Sequence, residues 1–226
     1  QTLPALRAYA VPVIVSILGE SQEDVTAMVQ EMERAEGIAA IELNLSCPNV
    51  RRPPNGRIPE LMVAQDPEAT EDIVRAARVH TGKPLIAKLS PDVTDLAPIA
   101  QAAERAGADA LTVGNTFRGM SLDPATRRSR LGALTGGVSG PAIRPLAVYR
   151  VWYTAQAVKI PIIGVGGIVR AEDAVEFFLA GASAVAVGTG NFANPATPLC
   201  VLSGVERYLV THQLASVQAL RGSLAA

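Results

Sequence analysis

The run Asn44-Leu45-Ser46-Cys47-Pro48-Asn49 sets two amides, a hydroxyl and a thiol within one short stretch. Amide side chains hold polar rings and carboxylates by paired hydrogen bonds without titrating. A thiol among them can act as a proton carrier or as a nucleophile. Lys88 and Ser90 close the run PLIAKLS, and Asn115 and Thr116 close ALTVGNT. Two glycine-rich turns follow later, GVGGI (164–168) and VGTGNF (187–192). Bare N–H groups in such turns, with a helix N-terminus behind them, commonly hold a phosphate. Taken singly, each residue has a plainer reading: a small buried hydrophobe for Cys47, a strand-end snorkelling chain for Lys88, turn caps for the asparagines. The two histidines, His80 at the end of a helical pattern and His212 in the C-terminal tail, read as surface residues. A Ser/His/Asp triad or a histidine-rich metal site therefore has no support. The second cysteine, Cys200, sits in PATPLCVLSGVERYLV, where the pattern predicts the apolar face of a helix.

Six short apolar runs must carry these residues: 12–18, 39–45, 84–89, 110–116, 161–167 and 183–189. They are rich in Val and Ile and continuous rather than alternating, as parallel strands covered on both faces are. Helical patterns lie between them. One opens at the N-cap Ser21 and stops at Gly37; another opens at Asp66-Pro67-Glu68 and stops at Gly82. Strands of one kind begin at Pro12, Pro84 and Pro161, and those of a second kind follow Gly37, Gly107 and Gly181. Both recur in steps of about 70–77 residues, the signature of a repeated pair of βα units. Such repeats build a (β/α)8 TIM barrel, whose active site lies at the C-terminal strand ends. Three pairs are present where a closed barrel needs four. The expectation is an α/β barrel lacking its first two βα units, with an open six-stranded sheet as the alternative. The tail THQLASVQALRGSLAA reads as helical and polar rather than as a further strand.

The chain's 226 residues fit one domain, and its formal net charge of −1 gives no sign of a nucleic-acid or anionic-membrane partner. Two cysteines are too few for a disulfide framework, which points to a reducing, cytoplasmic setting. No apolar run reaches the ~18–20 residues of a membrane-crossing helix.

In combination and in order, ELNLSCPNV, KLSPDVTD, AGADALTVGNT, GGVSGPAIRP, PIIGVGGI and AVAVGTGNF resemble the class 1 dihydroorotate dehydrogenases. The likeness is greatest to the class 1B, NAD-linked subclass and runs from about residue 11 to about residue 210. It implies a single FMN-binding barrel domain over residues 1–226 and oxidation of dihydroorotate to orotate, a step of pyrimidine biosynthesis. Cys47 takes the family's catalytic-base position. Asn44, Asn49, Asn115 and Thr116 take the substrate positions. Asn44, Lys88, Gly114, Gly140, Gly166, Gly167, Gly188 and Thr189 take the FMN positions. An iron–sulfur/FAD electron-transfer subunit and a homodimeric core are the partners the family implies. The stretch after Asn49, with Arg51, Arg52, Pro53 and Pro54, departs from the family's glycine-rich loop. Alternatives are another FMN barrel, such as a dihydropyrimidine dehydrogenase domain, and an inactive barrel fragment.

Overall fold

Helix starts fall where capping chemistry puts them. Ser21 accepts a hydrogen bond from the Asp24 N–H at 3.1 Å and opens α2 (Gln22–Arg34), whose first turn holds Glu23 and Asp24. Asp66 accepts from the Glu68 N–H at 2.9 Å, and Pro67 begins α3 (Pro67–Arg78). The structure is a computed structural model describing residues 2–19, 21–46 and 63–225. The chain divides into two compact units. The first comprises 1–90, 95–112 and 157–161, and the second 91–94, 113–156 and 162–226.

In the first unit, α1 (Thr2–Leu6) and β1 (Ile14–Ile17) precede α2, and β2 (Ala40–Asn44) precedes α3. Then come β3 (Leu85–Leu89), α4 (Ala97–Arg105) and β4 (Ala110–Val113), whose last residue belongs to the second unit. The strands lie in the order β1-β2-β3-β4. β2 runs parallel to β1 and to β3, with Ile14 opposite Ala40 and Ile41 opposite Leu85. Ile41, Leu43, Leu85 and Leu89 are fully buried between sheet and helices, together with Val29 and Val74. That burial on both faces is why the strands read as unbroken apolar runs.

The second unit holds four very short strands: β5 (Phe117–Gly119), β6 (Leu122–Asp123), β7 (Arg128–Ser129) and β8 (Gly136–Val138). β5 pairs antiparallel with β8, and β6 with β7. A 3₁₀ turn (Pro141–Ile143) leads into α5 (Arg144–Ala155). β9 (Ile162–Val165), α6 (Ala171–Leu179), β10 (Ala184–Ala186), α7 (Gly190–Ala193) and α8 (Thr197–Thr211) follow. β9 and β10 are parallel, and Phe177 of α6 packs so closely on β9 that a Cβ on Gly164 would lie 2.4 Å from its ring.

The repeated glycines have a common conformational cause. Gly37, Gly107 and Gly181 adopt φ of 82°, 99° and 114°, the left-handed region in which an L side chain is strained. Each ends a helix and turns the chain into the next strand.

Two expectations need correction. Cys200 lies on α8 but is exposed. The buried stripe of that helix is Thr197, Val201, Gly204 and Val205, and the apolar residues beside Cys200, Leu199 and Leu202, are exposed with it. The tail after Thr211 is not a helix. It makes a single 3₁₀ turn (Val217–Ala219) and is pinned by the Gly222 N–H to the Phe178 carbonyl at 3.0 Å. Among the described residues, no helix is long and apolar enough to cross a membrane.

Candidate functional site

Asn44 is the last residue of β2, and its register partner on β3 is Lys88. Parallel pairing thus sets an amide and an ammonium side by side at the C-terminal end of the first unit's sheet, both half-buried. The Asn44 Oδ1 accepts from Ser46 Oγ at 3.0 Å and from the Ser46 N–H at 3.4 Å. Its acceptor is therefore engaged, and its amide N–H groups are what a ligand would meet. Lys88 forms no ion pair among the described residues. Ser46 and Ser90, which follow these two strands, are buried.

Two residues before Asn44, and so on the same face of β2, stands Glu42. Its carboxylate accepts from Ser16 Oγ at 2.8 Å and Thr112 Oγ1 at 2.6 Å, linking β1, β2 and β4. Sequence reading passes over Glu42, although a lone carboxylate in the otherwise apolar run AAIELNL is a signal that could have found it. Cys47 and Asn49 lie outside the described residues, as does the loop through residue 62 that departs from the family pattern.

In the second unit, the Thr116 N–H donates to Asn115 Oδ1 at 2.7 Å, and both residues are half-buried. The Thr116 hydroxyl packs against β8: a Cβ on Gly137 would lie 2.2 Å from it. Gly114 (φ 130°) approaches β9 so closely that its Cβ would sit 2.1 Å from the Val165 carbonyl oxygen. Gly166 (φ 142°) faces Ala147 of α5. Gly167 (φ 73°) is packed against the Gly140 turn, and a Cβ there would lie 2.7 Å from the Gly140 oxygen and 3.0 Å from the Arg144 nitrogen. Gly140 (φ 89°) and Gly188 have open space where a side chain would start. Thr189 caps α7 without a side-chain hydrogen bond, and Asn191 Nδ2 donates to the Val187 and Gly188 carbonyls at 2.6 and 3.1 Å. Asn191 is a loop-fixing residue that sequence reading missed.

The predicted residues therefore fall into two groups, each brought together within its own unit. Asn44 and Lys88 form one. Gly140, Gly166 and Gly167 converge in the other, with Gly114 packed on the end of β9 and Gly188–Thr189 opening α7. His80 is half-buried rather than at the surface, its Nδ1 3.2 Å from Gln30 Nε2, while His212 is exposed and packs on Tyr208.

Residues 1–209 match the dihydroorotate dehydrogenase family. The chain belongs to that family. It is 45% identical over 224 residues to the catalytic subunit of dihydroorotate dehydrogenase B (NAD(+)) of Citrifermentans bemidjiense, covering 99% of this chain and 72% of that protein. The like-named subunit of Desulforudis audaxviator is 47% identical over 221 residues, 98% of this chain and 70% of that protein. Dihydroorotate dehydrogenase of Eimeria tenella, solved with ferulenol, superposes with a TM-score of 0.72 at 26% identity. That match takes in 89% of this chain but 57% of the solved one. With the strand–helix alternation, the likeness fits part of a (β/α)8 barrel, as the repeat predicts. The dihydroorotate dehydrogenase family is one of oxidoreductases and flavoproteins. The bacterial relatives are named as catalytic subunits, which implies a further subunit in those proteins.

Proposed function

We propose that this chain is the catalytic subunit of an NAD-linked dihydroorotate dehydrogenase, a single barrel domain over residues 1–226 that binds FMN and acts in the cytoplasm in pyrimidine biosynthesis. The observation that carries the reading is the Asn44–Lys88 pairing, an amide donor beside a cation that forms no ion pair among the described residues, on adjacent strands, with Ser46 and Cys47 next in the chain.

The residues present suit FMN. Gly167 and the Gly140 turn meet backbone to backbone, and a Cβ at Gly167 would fill the space between them, the arrangement in which main-chain N–H groups reach a phosphoryl group. Gly140, Gly166, Gly167, Gly188 and Thr189 would hold the phosphate, and Gly114 the adjoining backbone. Lys88 would lie by the flavin ring, where a cation favours negative charge in the reduced form. FMN, when bound, supplies the acceptor for the hydride that leaves C6 of dihydroorotate.

The chain's own residues do the rest. Cys47 acts as general base and takes the proton from C5. Asn44, Asn49, Asn115 and Thr116 hold the amides and carboxylate of the substrate ring, since paired donors and acceptors fix a flat polar ring without adding charge. Asn44 is suited to donate because its oxygen is held by Ser46. An iron–sulfur/FAD partner subunit would supply the onward route for the electrons, and two copies of this chain would form the core.

The test is a spectrum followed by a titration. The purified protein should absorb near ~450 nm, a property of bound flavin, and anaerobic dihydroorotate should bleach that band. Bleaching by dihydrouracil and not by dihydroorotate would overturn the substrate assignment in favour of a dihydropyrimidine dehydrogenase. A colourless protein that takes up no FMN would remove the enzyme reading altogether.

A further inference from the structure

Asp173, in the first turn of α6, is fully buried. A carboxylate taken out of water persists only when it is paired and hydrogen-bonded, and this one is held from two directions. Its Oδ2 accepts from the Val169 and Arg170 N–H groups at 2.9 and 3.1 Å. Its Oδ1 accepts from Arg144 Nη1 at 2.5 Å and lies 3.3 Å from Arg170 Nε. The first set of contacts caps α6 and would suffice for that purpose. The contact with Arg144 is of another kind, because it reaches 29 residues back along the chain to the start of α5.

These two attachment points flank the proposed phosphate site. Val169 and Arg170 close the loop that opens at Gly166 and Gly167. Arg144 directly follows the turn from Gly140 to Ile143. Gly167 has no side chain of its own to act as a spacer: a Cβ there would lie 2.7 Å from the Gly140 oxygen and 2.9 Å from the Arg144 Cβ. Contact alone sets how close the segments can come, and the ion pair sets how far apart they can move. The Arg144 side chain is 21% exposed, and its Nε also lies 3.4 Å from Glu176 Oε2, so the guanidinium is held on the α6 side.

We propose that the Arg144–Asp173 pair is a positioning device that fixes the spacing of the Gly140 turn and the Gly166–Gly167 loop, so that their N–H groups converge on one phosphoryl group. This rests on the FMN reading above. It concerns the phosphate end of the ligand only, and that gives it a readout distinct from general stability. Riboflavin shares the flavin ring and ribityl chain of FMN but lacks the phosphate.

The experiment compares the full chain with Arg144→Met and Arg144→Lys, stripped of flavin and titrated with FMN and with riboflavin by fluorescence quenching. Arg144→Met should weaken FMN at least tenfold and leave riboflavin within threefold. Arg144→Lys, which keeps the charge as a compact ammonium in place of the guanidinium, should lose less FMN affinity than Arg144→Met, about three- to tenfold, and leave riboflavin within threefold. Should the methionine variant fail to fold, the lysine variant carries the test through that same FMN-specific loss. Equal losses for both ligands would overturn the proposal and leave a purely structural pair. Unchanged FMN affinity would overturn it as well. If the parent protein binds neither flavin, the FMN reading itself falls; if the parent binds FMN and the variants match it, only the pair's role falls.

Discussion

Gly167→Ala should separate a fixed phosphate cradle from an adaptable loop. An alanine at φ 73° carries the left-handed backbone penalty, about 1–2 kcal/mol. Its Cβ would also lie 2.7 Å from the Gly140 oxygen and 3.0 Å from the Arg144 nitrogen. Both are main-chain atoms, which cannot swing aside as a side-chain tip can. Relieving that overlap means parting the two segments by some tenths of an ångström, which brings the total to about 2–3 kcal/mol. For a chain of this size each kcal/mol lowers Tm by about 2–4 °C, so the variant should melt about 4–12 °C below the parent. Parting the segments also misdirects N–H groups toward a charged phosphate. Such bonds contribute about 1.5–3 kcal/mol each, so losing one raises the FMN Kd by about 10–150-fold. Gly188→Ala is the internal control. Gly188 has no positive φ and nothing within 4 Å of the Cβ position, so its replacement should leave Tm within about 1 °C. Scanning calorimetry and flavin-fluorescence titration measure both quantities. A Gly167→Ala protein that melts with the parent and binds FMN with unchanged Kd would refute the claim that the two segments are held in contact.

Other outcomes follow from the same residues. Cys47→Ala should slow dihydroorotate oxidation by about 10²–10⁴-fold with FMN retained, and in the parent the rate should rise with pH toward the reference thiol pKa of ~8.5; stopped-flow bleaching checks both. Lys88→Ala should lower the flavin midpoint potential or weaken FMN binding, since it removes a cation with no acidic partner among the described residues; a redox titration reads it. Acid should destabilise the fold in a defined window. The Thr81 hydroxyl holds the Glu33 carboxyl below its usual value of 4.5, and Arg105, then Arg75, do the same for Glu71. Carboxylates with depressed folded-state pKa values stabilise the fold above 4.5, and that contribution is lost as pH falls through their lowered values. Melting temperature should therefore be flat from neutral pH to about 5 and decline below about 4.5, less steeply in Glu71→Gln.

Much of this molecule is local and could be read from the chain. Parallel strands buried on both faces demand unbroken apolar runs, so all six were visible, and helix ends at Ser21, Asp66 and Gly37 announce themselves by capping chemistry and positive φ. The strand-end positions of Asn44 and Lys88 follow from the same pattern, and the family motifs pointed to the glycines. The double hairpin of β5–β8 did not show, because strands of two or three residues are too short to establish a period. Nor did the exposure of Cys200, since α8 is apolar on more than one side and only packing selects the side that is covered. What belongs to the tertiary structure alone is the pairing of polar groups distant in sequence. Glu42 takes its partners from Ser16 and Thr112, and Asp173 takes Arg144. The cost of burying a carboxylate makes such partners obligatory, but their identity is decided by which strands and helices the fold sets side by side.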